Sequence, residues 1–105
     1  MNPLVLKGCG TALLTPFKPD GSVDYDAFAA SVDRQVAAGM HFLVPLGTTG
    51  ETPCLSDDEK LLVLSIAKKH AAGRPVVAGV GTNSLAGTVA NIRLLEKDAD
   101  AFLVV

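Results

Sequence analysis

The chain has no tryptophan, one tyrosine and two cysteines, and aromatic residues make up only 5% of it. Cys9 and Cys54 are far apart and no CxxC pairs them, so neither a disulfide framework nor a paired-thiol metal motif is indicated. Both read as structural or incidental thiols. Charge is scarce as well. Charged residues are 19% of the chain, the net charge is −2, and no basic patch is present, which argues against nucleic acid as the main partner. No apolar run approaches the ~20 residues of a membrane span. The N-terminal stretch Met1 to Lys7 lacks the charged, apolar and small-residue succession of a signal peptide, which favours the cytoplasm. Of the two histidines, His41 has no second His, Cys or carboxylate at ligand spacing, so no metal site is expected there.

What the chain has in quantity is apolar residues, at 49%, with a mean hydropathy of +0.36. That excludes disorder. It also suggests strands buried on both faces, or a surface that another segment should cover. A length of 105 residues suits one domain.

Gly8 to Leu14 reads as a short strand ended by Thr15-Pro16, because proline cannot donate to a ladder. Lys18 to Ser22 carries turn chemistry. A helix follows, capped by Asp24 or Asp26, with Phe28, Val32 and Val36 in one stripe and Gly39 as its left-handed C-terminal residue. Phe42 to Leu46 forms the second strand. Ser56 and Glu59 make a capping box for a helix with Leu62, Val63, Ile66 and Ala67 on one face. Lys68, Lys69 and His70 fall in its last turn, where positive charge suits the dipole. Val76 to Val80 is the third strand. A third helix over Leu85 to Lys97 has the stripe Leu85, Val89 and Ile92. Phe102 to Val105 begins a fourth strand.

The alternation β-α-β-α-β-α-β implies parallel strands joined by crossovers. Right-handed crossovers gather Thr15-Pro16, Gly47 to Glu51 and Gly81 to Ser84 at one end of the sheet, where α/β folds hold ligands. Among these loops Gly47-Thr48-Thr49-Gly50-Glu51 is the richest. Its two glycines admit close backbone approach, and its N–H groups and hydroxyls can hold a carboxylate or phosphate. A (β/α)₈ barrel usually needs ~250 residues, so the chain has the length of nearly half of one. It reads as the N-terminal part of a single barrel over residues 1–105: three βα units and the start of strand four. A small flavodoxin-like sheet is the alternative.

Leu14-Thr15-Pro16-Phe17, Gly47-Thr48-Thr49-Gly50-Glu51, Leu55-Ser56-x-x-Glu59 and Gly79-Val80-Gly81-Thr82-Asn83 stand in register over essentially the whole chain. In this the sequence resembles the dihydrodipicolinate synthase / N-acetylneuraminate lyase family. The resemblance implies a (β/α)₈ TIM barrel, commonly a homotetramer, and a class I lyase that joins pyruvate to a lysine as a Schiff base without metal or organic cofactor. It implies that Thr49 holds the pyruvate carboxylate, that Thr48 belongs to a proton relay with two tyrosines, and that Glu51 bonds backbone near the loop. It implies condensation with L-aspartate 4-semialdehyde to 4-hydroxy-tetrahydrodipicolinate, in lysine and diaminopimelate biosynthesis. The second threonine of the motif favours this reaction over N-acetylneuraminate lyase, where serine is more frequent. Keto-deoxy sugar acid aldolases are further sisters.

Asn83 matches an allosteric, lysine-binding position of regulated members. The acidic partner expected four residues later is Gly87, and Asp57 and Lys60 replace histidines, so lysine inhibition is not expected. Asp98 stands where glycine is usual before the last strand, with a left-handed conformation expected of it. None of Lys7, Lys18, Lys60, Lys68, Lys69 and Lys97 matches the Schiff-base lysine, and Lys60, Lys68 and Lys69, on the helix after the motif, are expected to face solvent. The chain alone is therefore expected to be inactive. Two other readings remain: a phosphate- or nucleotide-binding module built on Gly79-x-Gly81, and a stand-alone half-barrel.

Overall fold

The computed structural model describes residues 4–105. Met1, Asn2 and Pro3, part of the segment read above for a signal pattern, lie outside the described residues. Four short strands alternate with three helices: β1 (Gly10–Ala12), α1 (Tyr25–Ala37), β2 (Phe42–Val44), α2 (Asp57–His70), β3 (Val77–Gly79), α3 (Leu85–Leu95) and β4 (Ala101–Leu103). β1 pairs in parallel with β2, and β3 with β4. A parallel bridge between Leu43 and Val76 joins the two pairs. Bonds from the Leu43 N–H to the Pro75 carbonyl and from the Gly79 N–H to the Pro45 carbonyl strengthen that junction. The strands thus lie in sequence order, 1-2-3-4. A doubly wound sheet reverses its order at a switch point; a barrel arc does not. The arrangement is that of a piece of an α/β barrel, which disfavours the flavodoxin-like alternative.

The core fills the space between strands and helices. Leu43, Val76, Ala78 and Val80 meet Phe28 and Val32 of α1, Val63, Leu64 and Ala67 of α2, and Leu95 of α3. Alternation along each strand sends the remaining side chains to the other face. There Ala12 and Leu103 are exposed, and Phe42 packs where a side chain on Gly10 would overlap its ring.

Local chemistry explains the helix ends. The Asp24 carboxylate accepts from the Ala27 N–H at 3.0 Å. Ser56 and Glu59 complete the capping box in both directions. Gly39 (φ +92°) and Gly73 (φ +81°) take left-handed backbone just past α1 and α2, as helix exits favour. Lys18 to Ser22 closes as a turn, with Phe17 bridged to Val23.

Several expectations are corrected. All four strands are shorter than their apolar runs, because the outer residues of each run pass into loops or lack a paired neighbour. α2 buries Leu64 rather than Leu62, which is 44% exposed; residues 60, 63, 64, 67 and 71 form the inward face. α3 buries Thr88, Asn91 and Leu95, whereas Leu85 and Val89 of the expected stripe are exposed. Asp98 is not left-handed. Positive φ outside glycine occurs among the described residues at Leu46, Glu51 and Ala72, and Asp98 instead closes a turn with its N–H on the Leu95 carbonyl.

Candidate functional site

The loop after β2 is a compact unit of two 3₁₀ turns, Thr48–Gly50 and Thr52–Cys54, hinged at Glu51. Leu46 enters the loop with φ +63° and Glu51 crosses it with φ +55°. The Gly50 N–H bonds the Gly47 carbonyl and the Glu51 N–H bonds that of Thr48, each at 3.0 Å. The second turn closes with the Cys54 and Leu55 N–H groups on the carbonyls of Glu51 and Thr52. The first N–H groups of a helical turn have no acceptor inside it, and among the described residues those of Thr48 and Thr49 find none elsewhere, which leaves them open to a ligand. Gly50 is buried against the loop after β1. A side chain there would press on the Thr15 hydroxyl at 3.1 Å and the Leu13 carbonyl at 3.2 Å.

These turns face a cavity of about 110 Å³ at the carboxyl ends of β2, β3 and β4, walled by Gly47, Thr48, Thr52, Gly79, Gly81 and Leu103. Thr48 belongs to the wall. Thr49, the next residue of the same turn, is exposed and is not among the residues that wall the cavity. Glu51 does not bond backbone through its side chain as the resemblance implies: its carboxylate is exposed and takes no hydrogen bond among the described residues, and it shapes the loop only through its own left-handed backbone.

A second cavity of about 360 Å³ adjoins the first and is bordered by Pro53, Lys60, Thr82, Asn83 and Asn91. Asn83 is exposed in it. Lys60 is half-buried, not solvent-facing as its place on the helix suggested, and its Nζ lies 3.5 Å from the Asn91 Oδ1. Asp57 is exposed at the start of α2 and is not among the residues bordering this cavity. Gly87 leaves little room for a larger side chain, since a Cβ there would stand 2.8 Å from the Thr82 hydroxyl and 2.9 Å from that of Ser84. The position that carries an acid in the resemblance is thus filled here by a helix cap, the Ser84 hydroxyl accepting from the Gly87 N–H.

The opposite end of the sheet is occupied by joints. The His41 Nδ1 accepts from the Cys9 N–H at 2.9 Å. Asp100 accepts from both Lys68 and the Val76 N–H. Among the described residues no group of three His, Cys, Asp or Glu is placed to hold a metal, and no helix is long and apolar enough to cross a membrane.

A family model, the dihydrodipicolinate synthetase family, matches residues 5–105. The chain belongs to this family. A 4-hydroxy-tetrahydrodipicolinate synthase of Koribacter versatilis is 50% identical over 101 residues, covering 93% of this chain and 34% of its own. Among solved structures, dihydrodipicolinate synthase from Aquifex aeolicus superposes with a TM-score of 0.85 at 38% identity, over 94% of this chain and 34% of that one. N-acetylneuraminate lyase from Mycoplasma synoviae does so with a TM-score of 0.82 at 26% identity, over 93% and 35%. The dihydrodipicolinate synthetase family is one of lyases, and the chain spans about a third of the length of the curated relatives it matches.

Thr52, Thr88 and Asn91 form part of this end of the molecule and carry no motif. The Thr52 hydroxyl bonds the Leu46 carbonyl at 2.6 Å. Thr88 bonds the Thr82 N–H and the Ser84 carbonyl, and Asn91 bonds the Val80 carbonyl. The only sequence signal for them is a polar residue interrupting a helix face or following a glycine-rich loop.

Proposed function

We propose that this chain supplies the carboxylate-holding part of a Schiff-base lyase that condenses pyruvate with L-aspartate 4-semialdehyde to 4-hydroxy-tetrahydrodipicolinate, in lysine and diaminopimelate biosynthesis. The observation that carries the reading is the Thr48–Gly50 turn, whose two leading N–H groups are free beside a small cavity at the carboxyl ends of parallel strands. In this reading residues 1–105 are the N-terminal part of one (β/α)₈ barrel, giving three βα units and the start of the fourth strand. The complete enzyme is a cytoplasmic homotetramer and uses no metal or organic cofactor.

The chemistry asks for a fixed 2-oxo acid. The Thr49 hydroxyl and N–H hold the carboxylate, which orients the adjacent carbonyl carbon for attack by an amine. Loss of water from the adduct gives the iminium, and loss of a methyl proton gives the enamine that attacks the aldehyde. Thr48 takes part in moving those protons with tyrosines from elsewhere in the enzyme, because a hydroxyl can donate and accept without bearing charge. In this reading the amine comes from outside this chain, which is supported by Lys68 being paired with Asp100 at the far end of the sheet and by Lys60 bordering the neighbouring cavity rather than the one containing Thr48. Asn83 is an allosteric position that does not take lysine, since Gly87 brings no acid to meet its ammonium group.

A sister reaction on a sialic acid or keto-deoxy sugar acid is the second reading, favoured by the likeness to N-acetylneuraminate lyase. Both readings share the carboxylate-holding turn and differ in the aldehyde; turnover with aspartate semialdehyde against the sugar acids separates them. Intact mass after treatment with pyruvate and borohydride tests the shared step. The 10.8 kDa chain is expected to stay unmodified. One reduced pyruvate on it would overturn the assignment of the amine to residues outside this chain.

A further inference from the structure

Leu46 is held in a backbone conformation that non-glycine residues disfavour, with φ +63°. Such a residue persists only where its surroundings over-determine it, and three contacts do so here. Its side chain is 2% exposed in the core. Its neighbour Pro45 accepts from the Gly79 N–H at 2.9 Å, which fixes the strand just before the loop. Its own carbonyl accepts from the Thr52 hydroxyl at 2.6 Å, in a bond buried from solvent.

Gly79 is part of the same lock, because any Cβ at that position would overlap the Leu46 carbonyl. The carbonyl therefore lies against β3 and is tied from the other side by a residue six positions further along the chain. The peptide plane that it defines leads directly into Gly47, Thr48 and Thr49. Released, Leu46 would relax toward an ordinary backbone conformation and swing the free N–H groups of the first turn away from the cavity.

We propose that Thr52 is a positioning residue for the carboxylate-binding turn, acting through Leu46. The proposal rests on the reading that the Thr48–Thr49 turn holds the carboxylate of a 2-oxo acid. Thr52 also touches the cavity wall, yet a hydroxyl has one proton to donate and this one is given to Leu46. A ligand anion gains no hydrogen bond from it. The role is thus to hold the turn and not to touch substrate.

The test uses Thr52→Val, which keeps the volume and removes the hydroxyl, and Thr52→Ser, which keeps the hydroxyl. Amide hydrogen exchange is read at Gly50 and Glu51, whose bonds close the first turn, and at Val32 and Val63 in the helical core. Pyruvate is titrated against the Thr48 and Thr49 amide shifts. Thr52→Val should speed exchange at Gly50 and Glu51 by about tenfold or more while Val32 and Val63 stay within about twofold. Its pyruvate affinity should fall by about tenfold, as loss of a preorganised geometry does, and Thr52→Ser should return both readings to near those of the wild type.

Unchanged exchange at Gly50 and Glu51 would overturn the proposal, whatever happens with pyruvate. Equal acceleration at Val32 and Val63 would also overturn it, by making Thr52 a general contributor to stability. A loosened turn with unaltered pyruvate affinity would remove its functional half. Wild-type Thr48 and Thr49 shifts that do not respond to pyruvate would instead overturn the carboxylate reading, leaving the anchoring of the turn standing on the exchange data.

Discussion

Helices α1 and α3 are built on opposite rules. The 13 residues of α1 bury the apolar pair Phe28 and Val32, four positions apart, and turn charge outward. The 11 residues of α3 bury Thr88 and Asn91 and leave Leu85 83% exposed. Apolar periodicity finds the first helix face and misjudges the second. The difference is one of position. α1 leads from the turn at Lys18 to the joint at Gly39 and needs only to cover the sheet. α3 begins at the loop beside the candidate site, where Val80 and Thr82 present backbone groups that strand pairing leaves over. A buried backbone group without a partner is costly, and Thr88 and Asn91 supply the partners. Satisfying those groups rotates the helix away from its own apolar stripe.

The strongest break in the comparison is on the apolar side. Phe28 is fully buried, and Phe28→Ala should lower stability by about 3–5 kcal/mol. A domain of this size commonly has only about 5–15 kcal/mol in total, so the variant should sit near its unfolding threshold. Urea unfolding followed by circular dichroism reads this as a shifted midpoint. A loss under about 1 kcal/mol would mean that α1 is not anchored by its stripe.

A smaller effect should separate the two rules at α3 itself. Asn91→Leu makes the helix more apolar but strips the donor from the Val80 carbonyl, whose residue is fully buried. It should cost about 1–3 kcal/mol, the penalty of an unsatisfied buried acceptor. Leu85→Lys puts a charge on the expected apolar stripe and should change stability by no more than about 0.5 kcal/mol. The reverse order of the two variants in the same unfolding assay would restore the apolar stripe as the inward face.

The same distinction explains what could be read before the structure. The caps at Asp24 and Ser56, the exit glycines and the alternation of elements follow from local chemistry, and each appears where its residues predict. The gathering of Thr15, Gly47 to Glu51 and Gly81 to Ser84 at one end follows from crossover handedness. Leu46 could not be read in this way. A buried leucine at the end of an apolar run looks like the last residue of a strand, and only the Thr52 hydroxyl and the missing side chain of Gly79 reveal why it turns left-handed. Lys60 is a related case: its place on α2 points to solvent, yet in the fold its Nζ lies 3.5 Å from the Oδ1 of Asn91, 31 residues away. Sequence pattern records which faces are apolar, but not which backbone groups a folded neighbour will leave unpaired.

The least perturbing probe of the comparison is Tyr25, the chain's only tyrosine, at the start of α1. Burial, followed by the nearby carboxylates of Glu59 and Asp58, raises its phenol above the ordinary value of 10.0. With no tryptophan in the chain, absorbance at 295 nm follows this one group. The folded protein should therefore titrate at higher pH than the same chain in urea. The sign for stability follows from linkage. The folded state favours the neutral phenol, so its contribution is complete below the unfolded value and is lost as pH rises through the folded one. Glu59→Gln separates the causes. Glutamine still serves a capping box, so α2 keeps its start while one charge disappears. The titration should move part of the way back toward 10.0 and stop short of it, because burial is the larger cause. A complete return would make the neighbouring charge the whole cause and leave no burial effect at this end of α1.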